Sequence, residues 1–145
     1  MKPEMKKLHF TTHDQEMVAD ARIVSDGLDT FNHTVAPLHE VQPLSCFARD
    51  SDDSVVGGAV GRTWGKCCEL TELWVHDEHR GSGIGKQLLE QFESQARARG
   101  CSVFYLTTFS FQARGLYEQL GYEVKAEVKG FSGDIAKYTM VRIEA

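Results

Sequence analysis

Apolar positions along this chain follow two different spacings. From Leu44 to Val75 they come in short runs: Leu44–Arg49 (LSCFAR), Val55–Thr63 (VVGGAVGRT) and Cys67–Val75 (CCELTELWV), separated by Asp50-Ser51-Asp52-Asp53-Ser54 and by Trp64-Gly65-Lys66. Apolar runs of strand length broken by polar turn residues predict an antiparallel meander. Gly57, Gly58 and Gly61 make the middle run an irregular strand and fit a bulge or a close backbone approach. After Gly83 the spacing changes. Ile84, Leu88, Leu89, Phe92 and Ala96 form one stripe on an otherwise charged helix that Gly100 stops. Cys101–Thr108 (CSVFYLTT) then has the aromatic and branched residues of a buried strand, so strand, glycine loop, helix and strand make a βαβ unit with a parallel pair. Ser110 is placed to cap a short helix, Phe111–Leu120, with Ala113, Leu116, Tyr117 and Leu120 on one face and Gly121 at its end. Strands at about Tyr122–Val128 and Ala136–Ile143 follow. At the start, Thr12-His13-Asp14-Gln15-Glu16 resembles a helix entry, and Met17, Ala21, Val24 and Leu28 recur at helical spacing, predicting one or two short helices. The class is α/β, with a mixed, mostly antiparallel sheet flanked by helices.

Size and composition narrow this without naming a function. The 145 residues suit a single domain, 1–145, and 41% hydrophobic with 26% charged residues is the make-up of a folded protein. The formal charge of −5 comes without a basic run, so the footprint of a nucleic-acid binder is missing. An acidic surface attracts cationic amines, but ordinary solubility is the commoner reason for such a charge, which selects no substrate. The apolar runs are far shorter than the ~20 residues that cross a bilayer, and Met1-Lys2-Pro3-Glu4-Met5-Lys6-Lys7 does not lead into a secretory signal. Neither a membrane nor a nucleic acid is expected as a partner. Cys46, Cys67, Cys68 and Cys101 show no CxxC spacing, and buried reduced thiols in the cytoplasm are the expectation. His76 and His79 beside Asp77 and Glu78 read as a charged connector rather than a metal site, which needs more ligands in defined geometry.

The candidate chemistry begins at the three glycines between a strand and a helix. The first turn of a helix leaves its N–H groups unpaired and carries the positive end of the dipole, so a glycine loop there binds anions. Two phosphate-binding patterns fail on particular residues. A GxxxxGK[ST] loop would need glycine at Arg80 and a hydroxyl at Gln87. A GxGxxG loop starting at Gly81 would need glycine at Lys86, with an acidic residue after the next strand to hold a ribose.

Arg80-Gly81-Ser82-Gly83-Ile84-Gly85 does match, at every fixed position, the acetyl-CoA-binding signature [QR]xxGx[GA], and the chain here resembles the GNAT superfamily of N-acetyltransferases. The segment Ala113-Arg114-Gly115-Leu116-Tyr117-Glu118-Gln119-Leu120-Gly121-Tyr122 is similar to the superfamily's second region, AxxxYxxxG[FY]. The resemblance spans Glu69 to Tyr122; before about Leu44 it is one of general layout only. It implies a parallel strand pair that splays apart and acetyl-CoA as co-substrate. The pyrophosphate would sit on the amides of Gly81, Ser82, Gly83, Ile84, Gly85 and Lys86, with Arg80 in support, and the pantetheine arm would run beside Leu73, Trp74 and Val75. It also implies an amine-bearing small molecule or peptide as acceptor, and it admits a homodimer for which no residue is diagnostic. Tyr117 takes the position of the tyrosine that faces the thioester in the family, although the same residue fits an ordinary core stripe. Glu69 and Glu72 are the two carboxylates that could serve as base. Their spacing of three puts them on opposite faces of a regular strand, so one at most would face the cleft, with Glu69 preferred. Ser110 stands where many members carry asparagine, which weakens it as a contact to the pantetheine and leaves the helix cap as its role. A non-catalytic acyl-CoA sensor is the alternative to an enzyme.

Overall fold

The computed structural model describes residues 7–145, so the opening Met1 to Lys6, taken above to lack a secretory signal, lies outside the described residues. The chain forms two compact units, Met1–Leu38 and His39–Ala145. Among its described residues the first holds one α-helix, α1 (Val18–Val35). It begins after Met17 with no side-chain cap, so the expected entry at Thr12 to Glu16 is not used. No proline interrupts the segment, and Gly27 costs only about 1 kcal/mol relative to alanine, which explains one continuous helix instead of two short ones.

The second unit is built on a six-stranded sheet in the order β1-β2-β3-β4-β6-β5. The strands are β1 (Gln42–Arg49), β2 (Val55–Trp64), β3 (Cys67–Val75), β4 (Val103–Phe109), β5 (Glu123–Val128) and β6 (Lys137–Ile143). Every pairing is antiparallel except β3 with β4. The first strand starts earlier than its apolar run because it is an edge, where Pro43 is tolerated without a ladder N–H. Two helices belong to this unit: α2 (Ile84–Ala98) and α3 (Arg114–Gln119). The second of these is shorter than the predicted Phe111–Leu120, and Ser110 does not cap it. The Ser110 Oγ instead accepts the Ala136 N–H at 3.1 Å, and the Ser110 N–H donates to the Ala136 carbonyl at 2.8 Å, tying the end of β4 to the segment before β6.

The core lies on the face of the sheet that α2 covers. Leu88, Leu89, Phe92 and Ala96 from α2 are buried there with Leu44, Ala59, Cys68, Leu70, Phe104, Leu106 and Met140 from five strands. One carboxylate is buried with it. Glu93 is 2% exposed and accepts from the Tyr122 hydroxyl at 2.8 Å and from Arg142 Nη2 at 2.5 Å. A buried carboxylate without such partners would be costly, so the pair holds α2, the end of α3 and β6 in one arrangement. Cys68 and Cys101 are buried free thiols as expected, whereas Cys46 is half-buried and Cys67 is exposed.

A bulge interrupts the β2–β3 ladder. Val60 pairs with Glu72 and the next residue, Gly61, pairs with Leu70, leaving Thr71 as the extra residue. The Thr71 hydroxyl donates to the Val60 carbonyl at 2.9 Å. This requires glycine at 61, because a Cβ there would lie 1.9 Å from the Glu69 carbonyl oxygen and 2.9 Å from Phe92 Cζ.

Candidate active site

The parallel pair is joined only over its first half. Cys67, Cys68, Glu69 and Leu70 pair with Val103, Phe104, Tyr105 and Leu106, and beyond that the strands separate. The gap opens into a cavity of about 640 Å³. Leu70 to Val75 form one wall and Leu106 to Thr108 the other, with Phe111, Gln112, Ala113, Leu116 and Tyr117 above and Arg80 and Gly85 at one end. The separation leaves backbone groups of Thr71–Val75 on the β4 side without a strand partner. Such an edge is ready to pair with an extended amide-bearing molecule.

At the loop end, Gly81 and Gly83 both adopt positive φ, +78° and +81°, which glycine takes at no steric cost. The first bond of α2 runs from the Gln87 N–H to the Gly83 carbonyl. Among the described residues the N–H groups of Gly81 to Lys86 have no internal acceptor, and a Cβ on Gly81 or Gly83 would meet open space. These amides lie at the positive end of a 15-residue helix, an arrangement that suits an anion. The Arg80 side chain braces the loop: its Nε donates to the Val75 carbonyl at 3.0 Å, and its Nη1 lies 2.9 Å from Asp77. Ser82 Oγ donates to the His79 carbonyl at 2.8 Å, and His76 Nδ1 accepts the Glu78 N–H at 3.2 Å. Lys86 is exposed, 4.0 Å from Glu90.

The bulge corrects the expected placement of the two glutamates. Glu69 pairs with Arg62 and Glu72 with Val60, positions two apart on β2, so both carboxylates stand on the same face, away from α2. Only Glu72 lines the cavity. Glu69, preferred from the sequence, lies outside the lining, with its Oε1 2.8 Å from Nη2 and 2.9 Å from Nε of Arg62. Gly61 signals a bulge in the sequence, but its effect falls on the facing strand, where regular alternation is expected.

Tyr117 lies on the opposite wall, 6% exposed, in edge contact with Tyr122 at 5.9 Å between ring centroids. It lines the cavity, and among the described residues its hydroxyl has no hydrogen-bond partner. Burial pushes its pKa up to about 12, so the phenol is a proton-bearing donor at neutral pH.

A loop with unpaired amides at a helix start, a cleft between splayed parallel strands and a phenol in the lining of that cleft are thus brought together. The model of the acetyltransferase (GNAT) family matches residues 10–122. The chain belongs to the GNAT family of acetyltransferases. It is 30% identical over 110 residues to blasticidin-S acetyltransferase of Streptomyces morookaense, covering 73% of this chain and 81% of that one. It is 34% identical over 108 residues to an acetyltransferase of Agrobacterium fabrum, covering 72% and 79%. Among solved structures, one assigned as an acetyltransferase from Agrobacterium tumefaciens superposes with a TM-score of 0.79 at 27% identity, covering 94% of this chain and 99% of the other.

Several residues of this GNAT cavity escaped the sequence reading. Thr71, Thr107, Thr108, Phe111 and Gln112 line it alongside the expected Leu73, Trp74 and Val75. Ser110, whose position in the family motif offered it as a weak pantetheine contact, is not in the lining and is engaged with Ala136. No spacing rule marks these residues, because each is placed by the separation of two strands distant in sequence.

Proposed function

We propose that this protein is an N-acetyltransferase that moves the acetyl group of acetyl-CoA to a primary amine of a small molecule or peptide by direct attack. The observation that carries this reading is the cleft itself: the β3–β4 pair stops at Leu70 and Leu106, and the opening ends on the unpaired amides of Gly81 to Lys86. When bound, acetyl-CoA would supply an activated thioester carbonyl. The loop amides would take the pyrophosphate, and the free edge at Leu73, Trp74 and Val75 would pair with the pantetheine amides.

An alkyl amine is mostly protonated at neutral pH, since lysine titrates at ~10.4, so it must lose a proton before it can attack. Glu72 is the carboxylate of the cavity wall and is the proposed proton acceptor, directly or through water. Tyr117 is the proposed donor to the departing sulfur. A phenol at about 12 holds its proton more tightly than an alkanethiol of pKa ~8.5. Its contribution is therefore a strong hydrogen bond to the developing thiolate more than a completed proton transfer. A cytoplasmic setting with reduced cysteines belongs to the same reading.

The test follows CoA thiol release from acetyl-CoA with a panel of nucleoside-like amines, aminoglycosides, polyamines and lysine peptides. Turnover with at least one amine is expected, and Tyr117→Phe should lower kcat by about 100-fold or more, the usual contribution of a positioned proton donor. Tight CoA binding with no turnover across the panel would turn the reading to an acyl-CoA sensor.

A further inference from the structure

Tyr117 is carried by a weak element. α3 has only six residues, and no side chain caps its start. Because the Tyr117 hydroxyl has no hydrogen-bond partner among the described residues, nothing aims the phenol from its own end. Its direction is set by whatever holds its ring and its helix.

One neighbour holds both. After α3 the chain reverses at Gly121, with φ of +92°, and the Tyr122 N–H donates back to the Tyr117 carbonyl at 3.0 Å. The Tyr122 ring meets the Tyr117 ring edge to face, with 68° between the planes. Tyr122 is 4% exposed and is anchored in turn: its hydroxyl donates to Glu93 Oε2 at 2.8 Å, and Arg142 Cζ lies 5.0 Å from its ring centroid. Arg142 also reaches the helix end, where its Nη1 donates to the Leu120 carbonyl at 2.6 Å. A phenylalanine would fill the space of Tyr122 without a hydroxyl to satisfy. A buried ion pair likewise adds little net stability, and its best-attested use is to select one arrangement among several. Here the arrangement selected is that of the residue against Tyr117.

We propose that Tyr122 is a positioning residue for the transfer step: anchored by Glu93 and Arg142, its ring and backbone hold the Tyr117 phenol in place in the cleft wall. This rests on Tyr117 acting as the donor to the departing sulfur, as proposed above.

Tyr122→Phe keeps the ring and removes its anchor, while Glu93 stays paired with Arg142. The full chain is assayed for CoA thiol release with acetyl-CoA and the fastest amine of the panel named above. kcat is expected to fall about tenfold, since a displacement of ~1 Å at a reacting group costs up to about 100-fold, and KM for acetyl-CoA should change less than about twofold. The double variant separates positioning from general loosening of the fold. With Tyr117→Phe already present, Tyr122→Phe is expected to lower kcat by less than about twofold more, because the group it positions is gone. Glu93→Gln, which leaves the Tyr122 hydroxyl a neutral acceptor, supplies a second cycle: a loss of about threefold that also disappears beside Tyr117→Phe. Thermal melts confirm which variants are folded. Wild-type kcat in folded Tyr122→Phe, or the same fold-loss with and without the Tyr117 hydroxyl, overturns the proposal. Wild-type kcat in Tyr117→Phe alone, or no turnover with any amine, removes the donor role of Tyr117 and the positioning role with it.

Discussion

The two halves of the β3–β4 pair use the same strands for opposite purposes. In the closed half, Cys67–Leu70 and Val103–Leu106 are hydrogen-bonded to each other, and Cys68, Leu70, Phe104 and Leu106 are among the most buried residues of the chain. In the open half, Thr71–Val75 and Thr107–Phe109 have lost each other as partners, and Trp74 is 49% exposed on the cavity wall. The change occurs at one place, the Thr71 bulge opposite Gly61. A bulge bends its strand and increases twist, which can steer β3 away from β4 while the paired half stays anchored in the core. The closed half thus supplies rigidity, and the open half supplies backbone groups without a strand partner that a ligand can pair.

The comparison breaks most completely at Gly61. Gly61→Ala should destabilise the fold by about 3 kcal/mol or more, because the new methyl meets Glu69 backbone and Phe92 in the tightly packed half. Chemical denaturation checks this; a loss under about 1 kcal/mol would mean the bulge can shift freely.

Alkaline pH probes both halves through buried acids. Burial raises the Cys68 thiol in the closed half to about 12 and the Tyr117 phenol above the open half to about 12. A group whose folded pKa is raised contributes stability that is complete below its unfolded pKa and disappears as pH rises to the folded one. For Tyr117 that window runs from the reference of about 10 to about 12, and the contribution at stake is about 2–3 kcal/mol. Melting temperatures from pH 8 to 11.5 should therefore fall steeply above pH 10, and less steeply in Tyr117→Phe. The same slope in that variant would place the phenol in water.

The smallest effect separates the two glutamates on one strand. Glu72→Gln, in the open half, should reduce kcat by about tenfold at neutral pH, with activity recovering as pH rises and free amine becomes available without a base. Glu69→Gln, in the closed half and paired with Arg62, should change kcat by less than about twofold, since a partly exposed ion pair contributes little. Reversed effects would return the base to Glu69.

Local patterns were readable where their cause is local. The glycine loop matched because positive φ at Gly81 and Gly83 is a property of those residues, and α2 matched because its stripe and Gly100 stop are set within one helix. Ser110 and α3 were misjudged because a hydroxyl before a helical stretch resembles a cap, and nothing nearby in sequence shows that Ala136 competes for it. Glu69 and Glu72 were assigned opposite faces because alternation assumes a regular strand, and the bulge depends on which residue of β2 lies opposite.

The sequence by itself determined the glycine loop at the start of α2, the order of the βαβ unit and the family, because these depend on residue types at fixed short spacings. Only the tertiary structure decided which carboxylate lines the cleft and that Ser110 is engaged elsewhere. Those outcomes follow from strand register and from hydrogen-bond competition between segments far apart in the chain, and neither is written in the order of the residues.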